Sequence, residues 1–366
     1  MPLWSELLRK SWKLAKGEDP YLQEELLVAK CRDLCRASGL PPEFVARLDV
    51  VRHPLELQLA FEQILDELRR SEFEKLERKN AKGTEVSRAA AALTAHRRAE
   101  GAFARLLRKV LYRDQPSQVP RWNAKRSDTL SLIAATLRSA TQNPGRRSIA
   151  SVITFNVDDV LERVVNSGRG IWNPRVYPVR WPSDTHSPPA KDAIGIYHLH
   201  GFVPQDPKRY PFRFPDSGIA DAPVPVESLV FTDAQYWRAM GNPGDFASRV
   251  FAQALGGRCV FIGLSMTDIN IMRCLANYAM ETRQDIQTVT ANWTQDSYVA
   301  QTEFEELSAH FWIREKEQGS SRDMNPDFGT QVLKSVLEDS RGVRFVEVPS
   351  WVSSEFVDWW RECFVR

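Results

Sequence analysis

Long apolar runs are missing from this sequence of 366 residues. A membrane-spanning helix needs about 18 consecutive apolar residues, and no stretch of the chain approaches that length. The amino-terminal segment also lacks the uninterrupted apolar core of a signal peptide, because Arg9, Lys10 and Lys13 stand among its leucines. The absence of both features predicts a cytoplasmic protein that has no membrane partner.

Cysteines are few and scattered. Their odd number favours reduced thiols over a disulfide framework; the five are Cys31, Cys35, Cys259, Cys274 and Cys363. Cys31 and Cys35 are four residues apart and would share one helix face, but a structural zinc site needs four ligands and the sequence has no second pair. We therefore expect no bound metal.

An excess of charge of either sign is also absent, since 49 Lys and Arg residues stand against 47 Asp and Glu residues and the formal net charge is +2. This balance argues against a whole-molecule polyelectrolyte. The segment 69–113 is a local exception, with 13 basic and five acidic residues. It is typical either of a surface for nucleic acid or an acidic partner, or of a solvated helix face with i,i+4 ion pairs. We favour the second interpretation.

Residues 1–147 have the pattern of amphipathic helices. Apolar residues recur three and four positions apart, first as Phe103, Leu106 and Leu107 and later as Leu130 and Ile133. This spacing places them on one face of a helix, where they can be buried. The first part of the chain is therefore predicted to be a helical region.

From residue 148 the pattern changes to short apolar runs rich in β-branched and aromatic residues. It predicts strands at 151–155, 194–199, 229–232, 259–263 and 343–348 and helices at 159–165, 233–240, 268–280 and 353–364. Strands that alternate with helices predict an α/β fold over 148–366, with a doubly wound, Rossmann-like parallel sheet. The proline-rich stretch 172–226 is predicted to be a long irregular surface segment.

A first group of candidate site residues follows the strand predicted at 151–155. Asn156 and Asp158 stand at a junction between strand and helix, and ligands of parallel sheets bind at the carboxyl ends of strands. An amide and a carboxylate there can bind a sugar hydroxyl or a water. The alternative is simple helix capping, in which Asp159 and Glu162 form a variant capping box.

A second group ends the strand predicted at 194–199. Alternation along the strand places His198 and His200 on one face, and Gly201 lets the backbone turn directly after them. A histidine in this place can act as a general base near neutral pH. Two further interpretations stay open, namely a metal site built on both histidines and a buried, hydrogen-bonded structural pair.

A third group follows the strand predicted at 259–263. Gly263 ends the strand, Ser265 lies in the turn, and a helix begins near Asp268. Backbone N–H groups and a hydroxyl at a helix N-terminus suit a phosphate or a ribose. The alternative is that Ser265 or Thr267 only caps the helix.

Together, and in this order, the three groups resemble the sirtuin (silent information regulator) family, and in particular its prokaryotic, defence-associated branch that hydrolyses NAD. The residues that carry the resemblance are Thr154-Phe155-Asn156-Val157-Asp158 through Leu161-Glu162, Leu199-His200-Gly201, Phe231-Thr232-Asp233 through Tyr236, Gly263-Leu264-Ser265 and Asp268-Ile269-Asn270-Ile271. Val157 replaces the aromatic residue of the family pattern. The resemblance covers about residues 148–281, and it implies that the helical region 1–147 is an insertion in a sirtuin-like fold.

The resemblance also implies an activity, which is the hydrolysis of NAD to nicotinamide and ADP-ribose. Asn156 and Asp158 would position the nicotinamide ribose and the attacking water, and His200 would accept a proton. The residues expected to bind NAD are Thr154, Phe155, Gly201, Gly263, Ser265, Asp268 and Asn270. Such enzymes act as NAD-depleting effectors of antiphage defence, commonly as oligomers or with a partner subunit such as a HerA-type ATPase or an Argonaute-like sensor.

Two family features are missing from the sequence. Without two CxxC pairs for a structural zinc, a protein-deacylating sirtuin is not expected. The Gly-rich G-A-G-x-S loop for the NAD diphosphate is also missing, although residues 2–8 resemble the segment that follows it, and we expect the loop to lie upstream of Met1. A non-catalytic scaffold or sensor that binds NAD or ADP-ribose, and a metal-dependent hydrolase that uses His198 and His200, are the alternative functions.

Overall fold

A computed structural model describes much of the chain beyond residue 53. The described residues are 54–79, 85–112, 129–142, 149–169, 173–180, 192–210, 229–230, 235, 245–264, 266, 269–290, 310–315, 328–341, 343–350 and 353–364. The cysteine pair Cys31 and Cys35 lies outside these ranges.

Helices and parallel strands make up most of the described residues. The helices are α1 (Pro54–Lys79), α2 (Glu85–Tyr112), α3 (Thr129–Gln142), α4 (Val160–Val165), α5 (Phe246–Leu255), α6 (Ile269–Thr290), α7 (Phe328–Arg341) and α8 (Ser354–Phe364). The strands are β1 (Val152–Thr154), β2 (Val176–Val179), β3 (Ile194–His198), β4 (Val260–Ile262), β5 (His310–Glu315) and β6 (Val343–Val348). None of the described helices is long and apolar enough to span a membrane.

The chain divides into two compact units. The first consists of Met1–Trp122 and Ser151–Ala239, and the second of Asn123–Ala150 and Met240–Arg366. The first unit contains α1, α2, β1, α4, β2 and β3, and the second contains the remaining elements. The predicted division of the chain at residues 147 and 148 stays a prediction.

In the first unit, β1, β3 and β2 form a parallel sheet in that order. The central strand β3 pairs with β1 through Thr154 and His198, and with β2 through Val176 and Ile194. All four residues of β2 are buried, as expected for a parallel strand covered on both faces. The prediction that 172–226 is irregular is therefore wrong at Val176–Val179, where Pro178 lies inside a strand at the end of the sheet order, a position that tolerates proline.

The α1–α2 pair belongs to the same unit. Leu76 of α1 packs with Ala91 and Ala95 of α2, and small side chains let two helices approach closely. Exposed basic residues nearby make ion pairs within one helix, including Lys75 with Glu72 at 2.6 Å and Arg78 with Glu74 at 3.7 Å. These pairs favour the interpretation of segment 69–113 as a solvated helix face.

In the second unit, β4, β5 and β6 form a further parallel sheet. Its core brings Ile313 of β5 and Val348 of β6 together with Leu132 of α3 and with Phe356 and Trp360 of α8. The indole Nε1 of Trp360 donates a hydrogen bond to Oγ1 of Thr136 at 2.8 Å. This bond satisfies the only polar atom of a buried tryptophan.

The predicted α/β fold with parallel strands is confirmed. The strands predicted at 151–155, 194–199, 259–263 and 343–348 are β1, β3, β4 and β6. The strand predicted at 229–232 is wrong for Leu229 and Val230, which have no regular secondary structure. Residues 231–232, and the helix predicted at 233–240 apart from residue 235, lie outside the described residues.

Candidate functional site

The carboxyl ends of β1 and β3 bring two candidate residues to one edge of the first sheet. Thr154, the last residue of β1, pairs with His198, the last residue of β3. Asn156 and His200 each follow this pair by two positions. The backbone N–H of Leu199 donates to the carbonyl oxygen of Thr154 at 3.0 Å, which keeps the two chain segments together beyond the strands.

Two aromatic rings meet at the same edge. The ring centroids of Phe155 and His200 are 5.0 Å apart in an edge-on arrangement, which is a favourable geometry for aromatic pairs. His200 is partly exposed. Its carbonyl oxygen accepts a hydrogen bond from the N–H of Val230 at 3.0 Å, so both its ring and its backbone are held.

Gly201 explains how the chain turns after His200. Its φ is +93°, a left-handed conformation that a residue with a Cβ adopts only with strain. Its N–H donates to the carbonyl oxygen of His198 at 3.2 Å and closes a tight turn. Because β3 ends at His198, the predicted alternation does not extend to His200, and the expectation that both histidines lie on one strand face is wrong.

Asn156 has a fixed backbone and an exposed side chain. Its N–H donates to Oγ1 of Thr154 at 3.0 Å, and its carbonyl oxygen lies 2.9 Å from Nδ1 of His198. The side chain is exposed. An amide held in this way can donate to and accept from a ligand without a large loss of backbone entropy.

Asp158 is a buried carboxylate with one unused oxygen. The residue is 8% exposed, and its Oδ1 accepts from the N–H of Val160 at 3.0 Å. Its Oδ2 is buried and has no hydrogen-bond partner among the described residues. Burial raises the pKa of Asp158, and the nearby charge of Glu162 raises it further. A ligand hydroxyl or a water that reached Oδ2 would satisfy an atom that is otherwise costly to bury.

The alternative interpretation, a capping box formed by Asp159 and Glu162, is wrong. Asp159 is the N-cap residue of α4 but its side chain makes no capping hydrogen bond. Its carboxylate instead accepts from the hydroxyls of Tyr112 and Tyr210, at 2.9 and 3.1 Å. The first turn of α4 is capped by Asp158 through the N–H of Val160, so a capping role and a free carboxylate oxygen occur in the same side chain.

His198 is a buried structural histidine. Its Nε2 lies 2.6 Å from Oε1 of Glu162 and its Nδ1 lies 2.9 Å from the carbonyl oxygen of Asn156. Both ring nitrogens are therefore engaged, and neither offers a lone pair to a metal ion. Within the described ranges, no group of three or more His, Cys, Asp or Glu residues could hold a metal. These contacts count against the metal-dependent hydrolase built on His198 and His200.

The third group of candidates lies in the second unit. Gly263 follows β4, has a φ of +68° and is exposed. The indole Nε1 of Trp312 donates to the carbonyl oxygen of Leu264 at 3.0 Å and fixes the start of this loop. Met266 has a positive φ of 55°, which is uncommon for a residue other than glycine. Ser265 and Asp268 and the side chain of Asn270 lie outside the described residues.

Tyr112 and Tyr210 were missed by the sequence analysis. Tyr112 is 47 residues away from Asp159 and Tyr210 is 51 residues away. Contacts over such separations have no periodic signal in one sequence. The one available hint was the cost of burying Asp159, five residues after the end of β1, since a buried carboxylate requires donors.

Comparison with known families matches residues 150–315 to the SIR2-like domain. The matched stretch contains every candidate residue named above except Tyr112, which precedes it. A search of the curated proteins found no match.

Proposed function

We propose that the protein hydrolyses NAD to nicotinamide and ADP-ribose, because residues 150–315 match the SIR2-like domain and this match supports an NAD-related function. The observation that carries the proposal is the register of β1 with β3. Because Thr154 pairs with His198, Asn156 and His200 follow at equivalent positions at one sheet edge. That is the edge at which ligands of parallel sheets bind.

The proposed mechanism uses three residues of the first unit. Asn156 and Asp158 bind the hydroxyls of the nicotinamide ribose and the attacking water, and Oδ2 of Asp158 is a buried acceptor that no other described residue uses. The bond from the ribose to nicotinamide breaks through an oxocarbenium-like state, and its electron pair goes to the nicotinamide nitrogen. The water oxygen bonds to the sugar carbon while His200 accepts the proton of the water or of a ribose hydroxyl.

The remaining candidate residues are proposed to bind NAD. Three of them lie next to Asn156 and His200 in the first unit. Thr154 accepts a hydrogen bond from Asn156, Phe155 packs against the ring of His200, and Gly201 follows His200 in the chain. Gly263, Ser265, Asp268 and Asn270 follow β4 and are proposed to bind the phosphates and the adenosine ribose, as a strand followed by a helix N-terminus commonly does. The sequence has no CxxC pairs for the zinc of protein deacylases, so we propose water as the acceptor of ADP-ribose.

The proposal is tested by product analysis with single variants. His200→Ala should lower kcat by about 10²- to 10⁴-fold, as expected for the loss of a general base, and Asn156→Ala should have a comparable effect. His96→Ala is the matched control, since His96 lies on α2 and pairs with Glu100 at 3.1 Å. Nicotinamide and ADP-ribose are quantified by chromatography.

The outcomes separate the candidate functions. A His200→Ala protein as active as the wild type would overturn the mechanism. A wild-type protein that binds NAD or ADP-ribose without any turnover would instead identify a non-catalytic scaffold or sensor.

The proposed biological role is that of an NAD-depleting effector in bacterial antiphage defence by abortive infection. The support for this role is the resemblance of the motifs to that branch of the sirtuins. We propose that the protein acts in the cytoplasm as a homo-oligomer or with a partner subunit such as a HerA-type ATPase or an Argonaute-like sensor. Cellular NAD should fall after infection of bacteria that express the wild type and its neighbouring genes, and it should stay constant with His200→Ala.

A further inference from the structure

Tyr112 connects the helical region with the candidate site. It is the last residue of α2 and precedes the SIR2-like domain, which begins at residue 150. Its hydroxyl lies 2.9 Å from Oδ1 of Asp159 and 2.8 Å from the carbonyl oxygen of Val203, and it accepts a hydrogen bond from the N–H of Asp159 at 3.0 Å. One side chain from outside the matched domain thus contacts two segments inside it.

Both contacted segments carry proposed site residues. Asp159 directly follows Asp158, and Val203 comes three residues after His200. The N–H of Val203 also donates to the carbonyl oxygen of Val157 at 2.6 Å, so the two segments are bonded to each other. One helical turn before Tyr112, Nε of Arg108 donates to the carbonyl oxygen of Pro204 at 2.7 Å. The last turn of α2 therefore holds both segments in place.

The chemistry of the contact makes the hydroxyl difficult to replace. Tyr112 is 7% exposed and Asp159 is fully buried. Burial, together with the neighbouring charge of Asp159, raises the pKa of Tyr112 well above its ordinary value, so the hydroxyl keeps its hydrogen. That single hydrogen is donated to Asp159 or to Val203, while the lone pair accepts the N–H of Asp159. Without the hydroxyl, the buried N–H of Asp159 would lose its acceptor, and either the carboxylate of Asp159 or the carbonyl oxygen of Val203 would lose its donor.

We propose that Tyr112 is a positioning residue that fixes Asp158 and His200 relative to each other, and that the helical region is by this contact a part of the active site. The inference rests on the proposed hydrolysis of NAD by these two residues. The hydrogen bonds of the Tyr112 hydroxyl go to Asp159 and Val203, which lie in the segments that bear them. Its effect is therefore expected in the rate of the chemical step, because small errors in the placement of reacting groups lower rates steeply.

The experiment compares Tyr112→Phe with Tyr177→Phe. Tyr177 is a buried tyrosine on β2 in the same unit, and it has no part in the proposed site. Hydrogen exchange of the peptides 155–160 and 200–205 is measured without NAD, and kcat and KM are measured with NAD. Tyr112→Phe should accelerate exchange in both peptides several-fold and lower kcat by about 10- to 100-fold, with little change in KM. Tyr177→Phe should do neither.

Several outcomes of this experiment would overturn the positioning role of Tyr112. Unchanged exchange in Tyr112→Phe would overturn the proposal, whatever the activity. Faster exchange with an unchanged kcat, or a loss of kcat matched by Tyr177→Phe, would also overturn it and leave only a structural role. A wild-type protein without turnover would overturn the proposed function and with it the positioning role, while the exchange data would still show whether the hydroxyl holds the two segments together.

Discussion

The imidazole of His198 and the carboxylate of Glu162 form a buried ion pair, with Nε2 and Oε1 2.6 Å apart and both side chains 1% exposed. The other ring nitrogen faces the carbonyl oxygen of Asn156, which can only accept a hydrogen bond. Nδ1 is therefore a donor, and a carboxylate oxygen beside Nε2 favours the doubly protonated, charged ring. Burial lowers the pKa of His198, but the charge of Glu162 and its hydrogen bond outweigh burial and raise the pKa. The pair holds the backbone that presents Asn156.

Replacing Glu162 by Gln should destabilise the protein. The change leaves a buried imidazolium without its counter-charge, and breaking a buried pair in this way costs about 3–5 kcal/mol of unfolding free energy. The measurement is urea denaturation of the wild type and of Glu162→Gln at about pH 6, below the ordinary pKa of His.

The same pair predicts a pH dependence with a defined sign. A histidine whose pKa is raised in the folded state contributes stability that is fully present below its unfolded pKa and is lost as the pH rises through the folded pKa. The groups that face His198 are Glu162, the carboxylate of Asp158 and the ring of Phe202. The stability difference between the wild type and Glu162→Gln should therefore shrink at alkaline pH. A difference that stayed constant up to about pH 9 would contradict the ion pair.

Asp158→Asn should increase stability while it abolishes activity. Burial raises the pKa of Asp158 above its ordinary value of 3.8, so stability is lost as the pH rises through the folded pKa and the carboxylate ionises without a partner for Oδ2. The amide keeps the bond to Val160 and carries no charge. We expect a gain of roughly 1 kcal/mol at about pH 7 and a smaller gain at about pH 4.

Denaturation at both pH values, together with the rate of NAD hydrolysis, tests this trade-off between stability and function. Asp245→Asn is the matched control, because Asp245 is a partly exposed N-cap residue of α5 in the other unit. An Asp158→Asn protein that is destabilised at neutral pH would contradict the prediction.

Much of the fold could be predicted because apolar runs mark buried strands. The run at 343–348 predicts β6 to the residue, and 259–263 contains β4. Strand β5 was not predicted, since its apolar core Phe311, Trp312 and Ile313 is short and has charged residues directly after it. Its burial comes from pairing with β4 and β6 on both sides, and one sequence contains no information on such pairing.

The candidate site was predictable only in part, for a related reason. The order of the motifs identified Asn156 and His200, and parallel pairing of β1 with β3 brings them to one edge. The roles of Asp159 and His198 could not be predicted, because local spacing is compatible with a capping box and with alternation along a strand. The role of each residue depends on a side chain distant in sequence. Asp159 is hydrogen-bonded to Tyr112, and His198 is hydrogen-bonded to Glu162.

Gly263→Ala tests the proposed NAD-binding role of the loop after β4. Gly263 has a φ of +68°, and apart from its two chain neighbours no described residue has an atom within 4 Å of the position of an added Cβ. The variant should therefore lose only the roughly 1–2 kcal/mol of unfolding free energy that a left-handed alanine costs. If the loop after β4 binds the NAD phosphates, the Cβ would also obstruct the approach of a phosphate to the backbone, and NAD affinity should fall several-fold.

The matched control is Gly168→Ala, since Gly168 has a φ of +80° and is equally open but lies in the turn after α4. Both variants should show the same loss in thermal unfolding, and only Gly263→Ala should show weaker NAD binding by calorimetry. Equal NAD affinity in the two variants would exclude Gly263 from the binding site.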